Sequence, residues 1–180
     1  MKTVEILGKQ YTFDHRQDQI LKHGLSVPYT HSKEEDRVIL SPYIFWSKRI
    51  QAPVVVPTWM LTDGASTPNV FRNVFPRYGR NEYPAYAHDF LYALYGVCKD
   101  TGEEFGLTRG ECDLIFKDLC KLVGVGFTRR NLAYSTLRVA GWSAYNKTGP
   151  MFIPKEDRQW YVDQFPELKL SVEDGKYLHV

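Results

Sequence analysis

The fold is organised around residues 84–92, which read Pro-Ala-Tyr-Ala-His-Asp-Phe-Leu-Tyr. In this segment His88 and Asp89 stand side by side among residues so apolar that a helix carrying them would be mostly buried. Moving an imidazole and a carboxylate out of water is unfavourable unless each group finds a partner. The fold must therefore supply partners for both groups, either to stabilise the structure or to do chemistry.

The two polar groups of this helix point in different directions. His88, Tyr92 and Tyr95 lie along one face because they follow the spacing i, i+4, i+7. Asp89 points about 100° away from that face. We therefore expect His88 and Asp89 to have separate partners, as they would if one handled protons and the other held a cation.

A second helix is predicted to begin after Thr108, because Thr108 and Glu111 have the spacing of a capping box. Its apolar stripe runs over 112–123 at helical spacing, and Asp113 lies at the border of that stripe. If the two helices pack antiparallel, His88 lies about eight residues before the connecting loop and Asp113 about five residues after it. At ~1.5 Å per residue the two side chains differ in height by about one turn. We therefore expect Asp113 to reach the His88 imidazole.

The rest of the chain predicts an α+β domain in which a small antiparallel sheet precedes a core of three helices. The predicted strands lie in 4–13, around a Gly8-Lys9 turn, and at 37–40, 43–46 and 53–61, whereas 14–36 is predicted to be irregular. The predicted helices are 68–75, 84–96, one from 108, 128–144, and a short helix around Trp160 in a tail with a loose end. We expect a single domain over 1–149 and a C-terminal extension over 150–180.

Composition argues against several classes of function. With 23 basic and 21 acidic residues, the net charge of +2 lacks the footprint of a nucleic-acid-binding protein. No stretch approaches the roughly 18 apolar residues of a membrane span, and no apolar leader follows Met1, so we expect a soluble protein. Cys98, Cys112 and Cys120 have no zinc spacing and are predicted to be buried, reduced thiols.

Two other polar features have ordinary interpretations. Three histidines spaced by eight residues share neither a helix face nor a strand face, so they are predicted to be solvated loop residues: His15, His23 and His31. The turn at 62–68 contains Asp63 and Ser66, and Asp-Gly turns and serine caps are common between secondary-structure elements.

Three motifs nevertheless occur in a fixed order: TDGASxP at 62–68, HDxLY at 88–92 and CDxxF at 112–116. Together they resemble a family of uncharacterised domains found in bacteriophage genomes and prophages. The resemblance covers roughly residues 50–145. It implies a phage-associated protein located in the virion or the host cytoplasm, with a virion or host protein as a candidate partner.

The pattern His88-Asp89-x-x-Tyr92, followed by Asp113 on a second helix, is also similar to the active-site pattern of secreted and parvoviral phospholipases A2. This resemblance implies hydrolysis of a phospholipid ester, with His88 as the general base that activates a water molecule. Asp113 would hold the imidazole in the productive tautomer, and Tyr92 would bond the Asp113 carboxylate.

The same resemblance implies a calcium ion. Asp89 would be a ligand, and carbonyl groups of the Asp63-Gly64-Ala65 turn would complete an oxygen site. The cation would polarise the ester carbonyl and stabilise its oxyanion. The phospholipase loop is rich in glycine, whereas this turn has only Gly64.

Substrate contacts and alternative chemistry involve the same region. Ser66 in the turn and Tyr95 on the His88 face are the candidate substrate-binding residues. A transition metal such as zinc could instead be bound by four side chains: Asp63, His88, Asp89 and Asp113. A Ser66-His88-Asp113 triad is another option, although no nucleophile-elbow pattern surrounds Ser66.

The non-enzymatic alternative binds no cofactor. In it, His88 and Asp113 form a buried polar clamp between two helices of a virion or host-interaction protein. Such a clamp would be sealed by Tyr92, Tyr95 and Phe116, whereas an active site would open to a pocket beside the Asp63 turn.

Overall fold

The structure is a computed structural model that describes residues 1–30, 36–63, 82–93, 107–140 and 151–173. The chain divides into two compact units, Met1–Asp63 with Met151–Val180 and Gly64–Pro150. We call them the strand unit and the helix unit. Residues 151–180, expected from the sequence to be an extension, belong to the strand unit.

Antiparallel pairs of short strands build the strand unit, and together with the helices they confirm the α+β class. The strands are β1 (Lys2–Ile6), β2 (Lys9–Phe13), β3 (Gln19–Lys22), β4 (Leu25–Pro28), β5 (Arg37–Ser41), β6 (Tyr43–Ser47), β7 (Ala52–Val56) and β8 (Leu61–Thr62). They form three sheets with the orders β1-β2, β3-β6-β7 and β4-β5-β8, where one small sheet was predicted.

The first hairpin forms as predicted, but its turn lies one residue earlier. Leu7 and Gly8 occupy the turn with positive φ angles of 51° and 73°, and Lys9 already belongs to β2. Two central residues with positive φ match the twist of the flanking strands.

The prediction that residues 14–36 are irregular is wrong at 19–22 and 25–28, which form β3 and β4. β3 pairs with β6 from Gln19 opposite Trp46, and a bulge interrupts the register between Ile20 and Lys22. β4 pairs with β5 along its whole length, again with a bulge. His23, between the two strands, is exposed as predicted, whereas His15 is partly buried and His31 lies outside the described residues.

The strand predicted over 53–61 is two strands in different sheets. β7 ends at Val56 as an edge strand, and Trp59, with a φ of 69°, turns the chain towards β8. Trp59 is 1% exposed and lies in a core cluster with Val38, Leu40, Ile153 and Tyr161.

The C-terminal segment contributes to that core. Helix α4 (Lys155–Gln164) forms as predicted around Trp160. The tail does not end loosely after this helix, because a 3-10 turn follows at Pro166–Leu168 and the Trp59 Nε1 donates to the Ser171 carbonyl at 2.8 Å. The prediction of a loose end is therefore wrong up to residue 173.

The helix unit contains α1 (Glu82–Ala93), α2 (Arg109–Leu122) and α3 (Phe127–Ala140). The predicted capping box is present: the Thr108 side chain accepts from the Glu111 amide, and the Glu111 carboxylate accepts from the Thr108 amide. α2 packs against both α1 and α3. Within the described ranges, none of the helices combines the length and apolar character needed to cross a bilayer.

A compact apolar cluster holds α2 against α3. It consists of Phe116, Cys120, Val125 and Ala133. Cys112 and Cys120 are buried free thiols as predicted, and burial raises the pKa of each to about 12. Cys98, the predicted helix at 68–75 and the predicted helix ends at 96 and 144 lie outside the described residues.

Candidate functional site

α1 buries almost all of the segment that organises the fold. From Pro84 to Tyr92, every residue except Asp89 is buried, and Asp89 is partly exposed. The helix is apolar around most of its circumference, so it can only be stable inside the unit. His88 is therefore carried into an apolar interior, while Asp89 faces a wetter environment.

The predicted contact between His88 and Asp113 is present. Nε2 of His88 lies 3.0 Å from Oδ1 of Asp113. The two side chains are 7% and 0% exposed. The prediction that Asp113 on α2 reaches the imidazole of His88 on α1 is therefore confirmed.

Tyr92 completes the α1 side of the cluster. Its hydroxyl donates a hydrogen bond to the same oxygen, Oδ1 of Asp113. The Tyr92 ring lies 3.8 Å from the His88 ring between centroids, and the Phe116 ring lies 5.4 Å away in an edge contact. These rings cover part of the imidazole and shield its hydrogen bond from water.

Arg138 is the site residue that the sequence reasoning missed. Its Nη1 lies 2.8 Å from Oδ2 of Asp113, and its side chain is 38% exposed. A guanidinium of Arg109 donates to the Arg138 carbonyl at 2.7 Å and so fixes the end of α3. The sequence does indicate that Asp113 needs a cation, because a buried carboxylate must be compensated. The predicted third helix offers three candidates: Arg129, Arg130 and Arg138.

The electrostatics of the cluster follow from burial and this ion pair. Burial lowers the pKa of His88, and the attraction of Asp113 only partly opposes that effect. Burial alone would raise the pKa of Asp113, but hydrogen bonds from His88, Tyr92 and Arg138 outweigh it and lower the pKa. Because burial keeps the pKa of His88 below 6.5, the imidazole is neutral near pH 7.

This arrangement defines the tautomer of His88. An ionised carboxylate only accepts hydrogen bonds, so Nε2 of His88 must donate to Asp113. Among the described residues, only Asp113 hydrogen-bonds the ring, and it does so through Nε2. The lone pair of a neutral imidazole then lies on Nδ1, where it can accept a proton from water.

The metal-binding predictions concern residues that the structure describes only in part. Asp89 on α1 and Asp63 at the end of the strand unit are both partly exposed. Gly64, Ala65, the substrate candidate Ser66 and the substrate candidate Tyr95 lie outside the described residues. Within the described ranges, no three histidine, cysteine or acidic side chains cluster as metal ligands. The calcium and zinc sites stay predictions.

Comparison with known proteins returns one family. A family model described as "Protein of unknown function (DUF1353)" matches residues 38–137. No curated protein and no solved structure matches the chain significantly. The matched range includes His88, Tyr92, Asp113 and the Asp63 turn, and it ends one residue before Arg138.

Proposed function

The chain belongs to the DUF1353 family of proteins of unknown function, and we propose that it is a metal-assisted hydrolase acting on an ester, with a phospholipid as substrate. The observation that carries this proposal is the 3.0 Å contact between His88 Nε2 and Asp113 Oδ1, which leaves Nδ1 as the basic nitrogen. A neutral, oriented imidazole is what a general base at neutral pH requires.

The proposed reaction uses the residues of the cluster in two proton transfers. Nδ1 of His88 takes a proton from a water molecule while the water oxygen attacks the ester carbonyl. Asp113 stabilises the imidazolium that forms, and Tyr92 and Arg138 hold the carboxylate in place. The imidazolium then returns the proton to the departing alkoxide, so the products are a carboxylic acid and an alcohol.

A calcium ion fits the oxygen chemistry of the predicted site, since the part-exposed carboxylate of Asp89 is a hard ligand. Asp89 would hold the ion together with the turn at Asp63, Gly64 and Ala65. When bound, calcium would polarise the ester carbonyl. Ser66 and Tyr95 are the proposed substrate contacts, and we propose a phage-associated protein of the virion or the host cytoplasm.

Hydrolysis of phospholipid vesicles in the presence of calcium tests the proposal. We expect His88→Asn to lower the rate by about 10²-fold or more, because it removes the base. The exposed histidine of the strand unit supplies the matched control, so His23→Asn should hydrolyse at the wild-type rate. Calorimetric titration with calcium should show binding that Asp89→Asn abolishes and His88→Asn retains.

A second candidate function is favoured by the coverage of the imidazole. His88 is 7% exposed, and the rings of Tyr92 and Phe116 lie against it, as expected for a structural clamp. Asp113 then joins α1, α2 and α3 in a virion or host-interaction protein without catalysis. If the wild type hydrolyses no ester with calcium or zinc, and His88→Asn only melts earlier, the clamp replaces the hydrolase.

A further inference from the structure

The outward surface of α3 carries no charge along its centre. Thr128, Leu132, Ser135 and Val139 follow the spacing i, i+4, i+7, i+11 and are all exposed. Leu132 is 37% exposed and Val139 is 84% exposed. The solvent face of a helix is normally charged or polar, whereas two of the four side chains on this outer face of α3, Leu132 and Val139, are aliphatic.

The connection between α2 and α3 adds two further exposed apolar side chains. Leu122 at the end of α2 is 38% exposed, and Phe127 at the start of α3 is 71% exposed. The Arg130 guanidinium lies 5.2 Å from the centre of the Phe127 ring. Large apolar groups and cations thus occur together at this end of the helix unit.

The charged residues of α3 all have one sign. The sequence has no acidic residue between Asp118 and Glu156, although the chain as a whole is close to neutral. In the described part of this stretch within the helix unit, the basic residues are Lys121, Arg129, Arg130 and Arg138. On α3 itself Arg129 is exposed, and Arg130 and Arg138 are partly exposed.

We propose that the outer face of α3 docks on the surface of an anionic lipid bilayer. Leu132, Val139 and Phe127 would enter the boundary between headgroups and acyl chains. Arg129, and Arg130 beside the Phe127 ring, would contact lipid phosphates, whereas Arg138 is held by Asp113. Long basic side chains can lie along an apolar surface while their charges reach the polar layer. This inference does not depend on the hydrolase proposed above.

A lipid surface fits this face better than the other polyanions do. A nucleic acid would be contacted mainly through cations at the centre of the face, but here the centre carries no charge and the exposed cation Arg129 lies to its side. The face is also a single convex helix, which needs no complementary groove when its partner is a soft bilayer.

Flotation of the full-length protein with vesicles tests the inference. The wild type should float with vesicles of phosphatidylcholine and phosphatidylglycerol, and not with phosphatidylcholine alone. Raising the salt from about 0.1 M to about 1 M shortens the screening length from ~10 Å to ~3 Å and should release the protein. Arg129→Gln should weaken binding about fivefold, which corresponds to ~1 kcal/mol per basic residue near an anionic surface.

The apolar contribution is tested by the double substitution Leu132→Gln with Val139→Gln, which should weaken binding about tenfold or more. Both positions are exposed and glutamine is a good helix former, so the unit should remain folded. The controls lie in the strand unit: Leu7→Asn removes an apolar side chain that is 39% exposed, and Lys9→Gln removes an exposed cation. Neither should change binding.

Three results would overturn the inference. The first is that the wild type does not float with the vesicles in about 0.1 M salt, where charges are screened over ~10 Å. The second is that the double variant binds vesicles as well as the wild type does. The third is that the protein binds duplex DNA, and that Arg129→Gln weakens this binding while the double variant leaves it unchanged. Flotation is measured without calcium and repeated with His88→Asn. The two proposals can therefore fail independently: loss of hydrolysis does not affect vesicle binding, and absence of vesicle binding does not affect the test of hydrolysis.

Discussion

Asp113 accepts hydrogen bonds from three side chains, two on α1 and one on α3. His88 and Tyr92 bind one carboxylate oxygen, and Arg138 binds the other at 2.8 Å. Because the carboxylate is 0% exposed, each donor replaces a water molecule that the ion would otherwise keep. The ion pair with Arg138 compensates the buried carboxylate charge, and burial outweighs the attraction that Asp113 exerts on a proton at His88.

The first prediction concerns this carboxylate. Asp113→Asn keeps the shape of the side chain but removes its charge, so we expect the free energy of unfolding to fall by about 3 kcal/mol. Urea denaturation measures the change. Asp118→Asn, at a partly exposed position of the same helix, should cost less than about 1 kcal/mol. Equal losses in the two variants would mean that the Asp113 cluster adds nothing to stability.

The second prediction is a pH dependence that arises from His88. Burial lowers its folded-state pKa below the unfolded value of about 6.5. As the pH falls below ~6.5, His88 is protonated in the unfolded chain before it is protonated in the folded protein. Its contribution to the free energy of unfolding is therefore fully present above this pH and is lost as the pH falls to the folded-state pKa. The pKa of Asp113 is lowered from 3.8, so its contribution disappears only in stronger acid.

We therefore expect the free energy of unfolding to decrease between pH 7 and pH 5 with a slope of up to ~1.4 kcal/mol per pH unit. His88→Gln should remove this slope, whereas His23→Gln, at an exposed site, should retain it. NMR titration of the ring protons gives the folded pKa directly. A His88 pKa above 6.5 would reverse the sign of the argument.

At this scale the sequence predicted the pair but not the counter-ion. The contact between His88 and Asp113 follows from helix spacing and from the expectation that the two helices pack antiparallel. Arg138 lies on the next helix, 25 residues after Asp113, and its approach depends on how α3 rotates against α2. That rotation is set by the packing of Phe116, Cys120 and Ala133, which spacing alone does not determine.

Among the elements, the strand pairs show where sequence patterns are weakest. β3 and β4 have four residues each, and neither alternates clearly between buried and exposed positions. Their pairing with β6 and β5 stabilises them, so tertiary context overrides a weak local preference. Helix α2, by contrast, carries its own capping box and apolar stripe, and both its start and its buried face were predicted from the sequence.

The third prediction concerns Gly24, which lies between β3 and β4 and is in close contact with neighbouring strands. A Cβ atom added at Gly24 would lie 2.4 Å from the Ser41 carbonyl oxygen and 2.5 Å from the Tyr43 ring. Gly24→Ala must therefore displace β5 or β6, and we expect it to lower the free energy of unfolding by about 1–3 kcal/mol. Thermal denaturation measures the effect.

Gly126 provides the matched control for this substitution. A Cβ there would meet no atom within 4 Å, and the residue has no positive φ. Gly126→Ala should be neutral or slightly stabilising, because it reduces the freedom of the unfolded chain. If both alanine variants behave alike, close approach at Gly24 does not control the packing of these strands.

For the whole molecule, the division into units was the hardest feature to foresee. Residues 150–180 look like an extension because a Gly-Pro pair separates them from the predicted helices. In the structure their amides and carbonyls bond to the strand unit: the Leu61 amide donates to Met151, and the Ile153 amide donates to Trp59. Pairing between residues about 90 positions apart leaves no periodic signal in a sequence.

Arg158 on α4 also ties the C-terminal segment into the strand unit. Arg158 is 3% exposed, and it donates to the carbonyls of Ile153 and Val172 at 3.0 Å and 2.9 Å. Its guanidinium also lies 5.8 Å from the centre of the Trp59 ring. A buried cation with these partners ties the chain on both sides of α4 to the strand unit.

The fourth prediction separates a structural segment from an appendage by comparing two neighbouring aromatic residues. Tyr161 is 1% exposed and donates to the Pro28 carbonyl at 3.1 Å, whereas Trp160 is 45% exposed. Tyr161→Ala should lower the free energy of unfolding by about 3–5 kcal/mol and speed amide exchange in β4, β5 and β8. Trp160→Ala, which removes a larger but outward side chain, should cost less than about 1 kcal/mol.

A chain that ends at residue 150 should lose exchange protection in the same strands, since Val38, Leu40 and Trp59 would then be uncovered. Retained protection in the shortened chain would contradict this, because it would mean that the strand unit is complete without its C-terminal helix.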